Sequence, residues 1–486
     1  MTRPLRKVTI MVLVLFAILM VNATYVQVVE AKHLRNDSHN GRQLIDRYRR
    51  ERGAILAGTT EIAVSKSTSD SLRYLRVYPD KSLYAAITGY YSQFGATSLE
   101  RAEDDVLSGE DNRLIVDRLT RLLTGRGSQG GSVTLSIEPS VQKAAAQALG
   151  NRRGAVVAIE PSTGRILALV TAPTFDPNPF ASHDGSVVAS YSDKLANNPG
   201  HPLLNRATSE RYPPGSLFKL VTSAAALSSG KYTPSTQIPS PTTFRLPLTN
   251  TTLQNFGGET CGNGTSSTLI DALRISCNTA FAKLGLVLGA NALRKQAEAF
   301  GIGSAPAFGL PVARSIFPDT LDQPQTALSA IGQYDVALTP LQAAMIVAAI
   351  ANHGVLLKPR LVDVERRPDL SVLDKPRSEV LSNAITPEVA AQLTQMMEAV
   401  VSSGTGTAAA IPGIAVAGKT GTAQHAKGEA PHAWFAGFAP ANAPKVAVAV
   451  VIEDGGNLGN EATGGRLAAP VARAVMQAAL ALLGGG

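Results

Sequence analysis

A run of apolar residues from Val8 to Val29, broken only by Thr9, Asn22, Thr24 and Gln27, constrains this chain more than any other feature. In a bilayer each backbone amide must be satisfied within the segment, so such a run can cross only as a helix. At 1.5 Å per residue it reaches about 33 Å, enough to span the hydrocarbon. Arg3, Arg6 and Lys7 precede it and no basic residue follows until Lys32. That asymmetry predicts residues 1–7 in the cytoplasm, 8–29 across the membrane, and the rest on the far side. Val21-Asn22-Ala23 faintly resembles a small-residue cleavage site, which keeps a cleaved signal peptide open as the alternative; the length of the run favours an uncleaved anchor.

The remainder is expected to be soluble. With 486 residues, 44% of them hydrophobic, the chain has material for roughly two to three domains. The formal charge of +8 comes from scattered Lys and Arg without aromatic interleaving, which argues against a nucleic-acid partner. Only Cys261 and Cys277 occur, with no Cys-x-x-Cys pair, and the seven histidines lack ligand spacing, so no metal or other cofactor is expected.

Residues 31–130 are rich in Arg, Ser, Asp and Tyr, with strand-like pieces such as Glu61–Val64, and read as a small, irregular, non-catalytic domain. Gly127–Ser132 reads as a linker. From 131 to 486 the pattern mixes a helix over Ser136–Leu149, a hairpin of Ala155–Ile159 and Ile166–Val170 around a Pro161–Gly164 turn, a strand at Val446–Ile452, and an apolar helix from Arg466 to about Leu483. This predicts a mixed α/β fold, a sheet covered by helices.

Three short segments carry chemistry. In Tyr212-Pro213-Pro214-Gly215-Ser216-Leu217-Phe218-Lys219, prolines before and Gly230 behind delimit a helix with Ser216 in its first turn. Ser216 and Lys219, three apart, share one face. A hydroxyl at the positive end of a helix can become a nucleophile. By itself such a serine serves equally as an N-cap, and Ser228 and Lys231 repeat the spacing without a helix. Ser276-Cys277-Asn278 offers a hydroxyl and an amide two apart, a spacing that Ser38 and Asn40 also show by chance. Lys419-Thr420-Gly421-Thr422 lies in a strand pattern ahead of Trp434–Phe438. An edge strand with a cation, hydroxyls and a glycine that lets ligand backbone approach suits an extended peptide ending in a carboxylate.

In this order the three segments resemble the active-site motifs of the penicillin-binding proteins, specifically the monofunctional class B type and its actinobacterial A subgroup. Arg52-Gly53-Ala54-Ile55-Leu56, the Ile159-Glu160-Pro161-Ser162-Thr163-Gly164 core and Thr339-Pro340-Leu341-Gln342 also match. Thr339 and Gln342 form a candidate capping box. The resemblance covers almost the whole chain and implies a transpeptidase fold: an antiparallel sheet covered by helices, plus an all-helical region. It also implies acyl transfer. Ser216 would attack the penultimate D-Ala of a donor stem peptide, the terminal D-Ala would leave, and an acceptor amine would release the cross-link. Lys219 would be the base, which needs its pKa to drop from about 10.4 to near 7. Ser276 would relay the proton and Asn278 would hold the substrate amide. Lys419, Thr420 and Thr422 would hold the carboxylate, and the Ser216 and Thr422 N–H groups would form the oxyanion hole. β-Lactams would acylate the same serine. A polytopic glycan polymerase or divisome proteins would dock on the N-terminal domain.

Tyr334, where many relatives have glycine, and Cys277 depart from the usual pattern without removing a catalytic group. A disulfide between Cys261 and Cys277 and two buried free thiols both remain open, the exported setting favouring the former. The interval between the second and third motifs lacks the Glu-x-x-Leu-Asn of a class A β-lactamase. A D,D-carboxypeptidase differs only in acceptor and stays as the alternative, beside a non-catalytic β-lactam sensor or scaffold.

Overall fold

The computed structural model describes residues 2–28, 48–115, 117, 129–424, 428–482 and 484. The end of the expected anchor at Val29, residues 31–47 and 118–128, and Leu483 lie outside them. Helix α1 (Thr2–Val28) contains, at Arg6–Gln27, the one segment among the described residues long and apolar enough to cross a membrane.

Two large sheets follow. The first is built from β1 (Ile55–Ala57), β2 (Thr60–Ser67), β3 (Tyr74–Val77) and β4 (Ser132–Leu135), and is joined late in the chain by β7 (Val362–Arg366) and β8 (Val372–Asp374). Its order is β8-β7-β4-β1-β2-β3, with β1 and β4 parallel and every other pair antiparallel. The β1–β3 meander therefore has its open edge closed by strands from beyond residue 130. The described part of the expected linker, Gln129–Ser132, is packed rather than loose. A β-carbon on Gly53 would collide with Gly131 O, and one on Gly130 with Leu107 O, so the glycines let three backbone segments touch.

The second sheet, ordered β9-β10-β11-β5-β6, is antiparallel throughout: β5 (Gly154–Ile159), β6 (Ile166–Ala172), β9 (Ala417–Ala423), β10 (His432–Ala439) and β11 (Val446–Ile452). The period of two sorts its faces. Val446, Val448, Val450 and Ile452 pack with α2 (Pro139–Leu149) and the C-terminal α8 (Gly464–Leu482). Ala447, Ala449 and Val451 face the other way, into the core that holds α6 (Pro340–Ala351) and the helical region. All of α6 is buried, which explains why its sequence is apolar on every side apart from the hydrogen-bonded Gln342. The helical region contains α3 (Lys219–Ser228), α4 (Leu269–Arg274), α5 (Asn278–Leu288) and α7 (Pro387–Ser403).

Local expectations shift at three places. Helix α2 begins at Pro139 rather than Ser136, because the Ser136 hydroxyl and amide bond to Ile166 O (2.9 Å), Arg360 O (2.9 Å) and Leu361 O (2.8 Å) of two strand segments. Helix α8 starts at Gly464, two residues early, where a β-carbon would collide with Trp434 O. The capping box at Thr339 is half made. Thr339 Oγ1 accepts from Gln342 N (3.1 Å), but the Gln342 amide donates to Phe300 O (2.7 Å) instead of reaching back.

A buried ion cluster stitches the N-terminal region together. Glu100, fully buried, accepts from Arg52 Nε at 2.7 Å, Arg76 Nε at 2.6 Å and Tyr78 OH at 3.0 Å. Burial alone would raise its pKa, but Arg76 and Arg52 overcome this and hold it below the usual range. Stability from a depressed carboxylate is present above the unfolded value of about 4.3 and is lost as pH falls through the folded one. Glu100→Gln should therefore lower stability by about 3–5 kcal/mol at neutral pH, because it leaves the buried Arg76 guanidinium without a carboxylate and Arg52 with Asp104 alone. It should also flatten the acid limb of stability below about pH 5. Urea denaturation across pH checks both, and an unchanged midpoint would contradict them.

Candidate active site

The segment leading to Ser216 is clamped on all sides. Tyr212 pairs with Leu338 through both backbone groups (2.9 Å each), Trp434 Nε1 donates to Pro213 O (3.1 Å), and Gly215 N donates to Gly332 O (3.0 Å). The Tyr212 hydroxyl donates to buried Glu453 (2.6 Å), which also holds Arg206 (2.7 Å) and Arg153 (2.9 Å). Gly215 sits at φ 52°, a conformation that glycine adopts without strain. Ser216 then falls in a 3₁₀ turn, Gly215–Phe218, with α3 starting at Lys219, so the first turn is tighter than the expected α-helical one. Ser216 is half-buried and Lys219 below it is fully buried.

Lys219 Nζ donates to Ser276 O (2.7 Å) and Asn278 Oδ1 (2.7 Å), and lies 3.3 Å from Ser276 Oγ. Ser276 reaches this position by leaving α4 with φ 63°, strained for a residue with a β-carbon. The turn it makes aims both its carbonyl and its hydroxyl at the amine. From the sheet side, Lys419 Nζ donates to Ser276 Oγ (2.8 Å) and to Thr420 O (3.0 Å). Burial, and then the neighbouring charge of Lys419, push the Lys219 pKa well below the ordinary amine value; burial brings Lys419 down to about 7. The structure thus gathers Lys219, Ser276, Asn278 and Lys419 into one cluster, one helical turn from Ser216.

The strand β9 lies at the edge of its sheet, as its pattern predicts. Both of its threonine hydroxyls have hydrogen-bond partners within the chain. Thr420, nearly buried, shares a 2.6 Å hydrogen bond with Thr405, while half-exposed Thr422 accepts from Gly464 N at 3.4 Å. Gly421 has a packing role as well. Its β-carbon would point at Pro214 O (2.8 Å) and Trp434 Cβ (2.9 Å), so the missing side chain seats the Ser216 segment against the sheet. A disulfide joins Cys261 to Cys277, the middle residue of the second motif. Motif reading overlooks Thr405, Glu453 and Asn255, the last of which accepts from Asn278 N (2.9 Å) and Thr279 N (3.1 Å); none lies at a recognisable spacing.

Residues 154–477 match the family model described as the penicillin binding protein transpeptidase domain, and residues 52–133 match the penicillin binding protein A dimerisation domain. The chain is 48% identical to the peptidoglycan D,D-transpeptidase PbpA of Mycolicibacterium smegmatis, over 99% of both chains. It is 46% identical to that of Mycobacterium tuberculosis, again over 99% of each. Its structure is similar to the ceftriaxone acyl-enzyme complex of M. tuberculosis penicillin-binding protein A, with TM-score 0.87 and 46% identity over 90% of this chain and 100% of that one.

Gly421→Ala tests the seating of the Ser216 segment. The added methyl should displace that segment by a few tenths of an ångström and slow reaction at Ser216 by roughly 10- to 100-fold while the fold persists. Reaction rates with a β-lactam, alongside far-UV circular dichroism, check this; full activity would show that the contact is slack.

Proposed function

The chain belongs to the penicillin-binding protein transpeptidase family, and on that footing we propose that Ser216 is the nucleophile of a peptidoglycan D,D-transpeptidase, acylated by stem peptides and by β-lactams. The observation that carries this reading is the buried amine of Lys219, held between Ser276 and Asn278 one turn from Ser216. A neutral amine has two N–H donors and one lone pair. Here two strong acceptors take the donors, which leaves the lone pair to receive a proton.

In the proposed cycle Lys219 takes the Ser216 proton as Oγ bonds to the penultimate D-Ala carbonyl carbon. The oxyanion rests on the N–H groups of Ser216 and Thr422, each worth roughly 10²–10³ in rate. Gly215 supports this pairing, since its β-carbon position lies 2.8 Å from Thr422 O. The C–N bond to the terminal D-Ala then breaks, and Ser276 passes the proton to the departing amine. An acceptor amine attacks the ester carbonyl and loses its proton to the same base; the bond to Ser216 Oγ then breaks, Oγ takes the proton back from Lys219, and the cross-linked peptide leaves. Asn278, its Oδ1 remaining on Lys219, would offer the second hydrogen of its Nδ2 to the donor peptide. Lys419, Thr420 and Thr422 would face the donor carboxylate, Lys419 from the floor of the cleft.

Residues 1–7 are assigned to the cytoplasm, 8–29 to the membrane, 31–130 to a non-catalytic domain and 131–486 to the catalytic domain outside. The helix at Arg6–Gln27 and the dimerisation-domain match support that division. A glycan polymerase or divisome proteins are the proposed partners, and growth or division the proposed setting.

Incubation with penicillin should add one acyl mass, mapped by peptide mass spectrometry to Ser216, and the adduct should persist for minutes or longer. An adduct elsewhere, or rapid turnover, would refute the assignment. Lys219→Arg should abolish acylation, because a guanidinium does not deprotonate in this range. Lys419→Ala should move the rising limb of the acylation rate to higher pH, since removing a like charge raises the Lys219 pKa. An unmoved limb would show that the two amines are not coupled. Product analysis with and without an acceptor amine separates cross-linking from hydrolysis.

A further inference from the structure

Asn255 precedes the second motif by more than twenty residues and is nearly buried. Helix α5 begins at Asn278 and has no side-chain cap of its own, because its N-cap residue is Cys277, whose sulfur is taken by the disulfide. Asn255 supplies the cap from another segment: its Oδ1 accepts from Asn278 N (2.9 Å) and Thr279 N (3.1 Å), while its Nδ2 donates to Glu259 O (3.0 Å). The preceding residue grips the Asn278 side chain as well, Asn278 Nδ2 donating to Gln254 O (3.2 Å). With backbone and amide both held, Asn278 Oδ1 is turned onto Lys219 Nζ at 2.7 Å.

We propose that Asn255 is a positioning residue for the reaction: by capping α5 it sets the orientation of Asn278 and, through it, of the Lys219 amine. The chemistry of the position favours an amide. It accepts two N–H groups and donates to a carbonyl without charge, whereas a carboxylate would cap equally well but place a negative charge close to Lys219 and Lys419. Of the other charged side chains in this stretch, Arg274 pairs with Asp271 at 3.0 Å and Glu259 is exposed to solvent. The segment beyond has little packing of its own, with Phe256 exposed and nothing within contact of a β-carbon at Gly257 or Gly258. Asn255 is thus held by its hydrogen bonds.

The inference rests on Lys219 and Asn278 serving acyl transfer. The test measures the penicillin binding constant and limiting acylation rate of the full-length chain in detergent from pH 5 to 10. It compares wild type, Asn255→Ala, Asn255→Asp and, as a dead control, Lys219→Arg. Asn255→Ala should lower the limiting rate by about tenfold, with the binding constant moved less than about twofold. Asn255→Asp restores the acceptor. It should recover most of that rate at alkaline pH, with its rising limb displaced upward by about one pH unit, because a nearby carboxylate favours the charged amine. Wild-type constants in both variants, or equal losses with an unmoved limb, would overturn the proposal and leave Asn255 a structural cap only. Should Asn255→Ala fail to fold, the Asn255→Asp limb alone decides, an unmoved limb again being the overturning result. Absence of acylation in wild type would sink the transpeptidase reading itself, which separates that failure from this one.

Discussion

The structure is organised around a lysine amine kept out of water. Lys219 is fully buried, and Lys419 approaches it across the Ser276 hydroxyl. Keeping Lys419 near 7 rather than at the ordinary 10.5 costs the fold about 4 kcal/mol at neutral pH, and Lys219 adds a further penalty of the same sign. For a depressed amine the unfolded chain binds more protons, so this penalty shrinks as pH rises toward the ordinary amine value. A fold that tolerates it must draw stability from elsewhere, because net stabilities are only about 5–15 kcal/mol.

The surroundings of α3 are where that stability lies. Every residue from Lys219 to Leu227 is buried, the helix being enclosed by the helical region and the sheet. Glycines bring the pieces close enough to seal the amine. Gly332 admits Gly215 O, Gly421 admits Pro214 O, and Gly464 admits Trp434 O. The Glu453 cluster then anchors the start of the nucleophile segment through Tyr212, with two arginines compensating the carboxylate. A charge buried with full compensation contributes little net stability but fixes geometry, since losing either partner is expensive. The Glu100 cluster uses the same device in the N-terminal sheet.

Coupling between these parts follows the chain's return to its own beginning. β7 and β8 complete a sheet started by β1–β3, while the Gln142 side chain bonds to Leu83 O and Leu169 O, 2.9 Å each, tying the N-terminal region to the catalytic sheet. The two sheets therefore share a framework of short, directional contacts.

How much of this the sequence carried depended on range. The membrane-length helix, the hairpin of β5 and β6, the strand at Val446–Ile452 and the helix after Ser216 are local patterns, legible because period and turn chemistry act over a few residues. The family was legible too, because three short motifs in order are improbable by chance. The tertiary structure alone decided which groups meet. Asn255 caps a helix more than twenty positions away, Thr405 covers Thr420, and Gly421 receives the nucleophile segment. The expected linker at Gly130 became a tight backbone contact for the same reason. Such contacts join residues with no fixed spacing, and burial, which sets the lysine pKa values, belongs to the packed chain and to no segment of it.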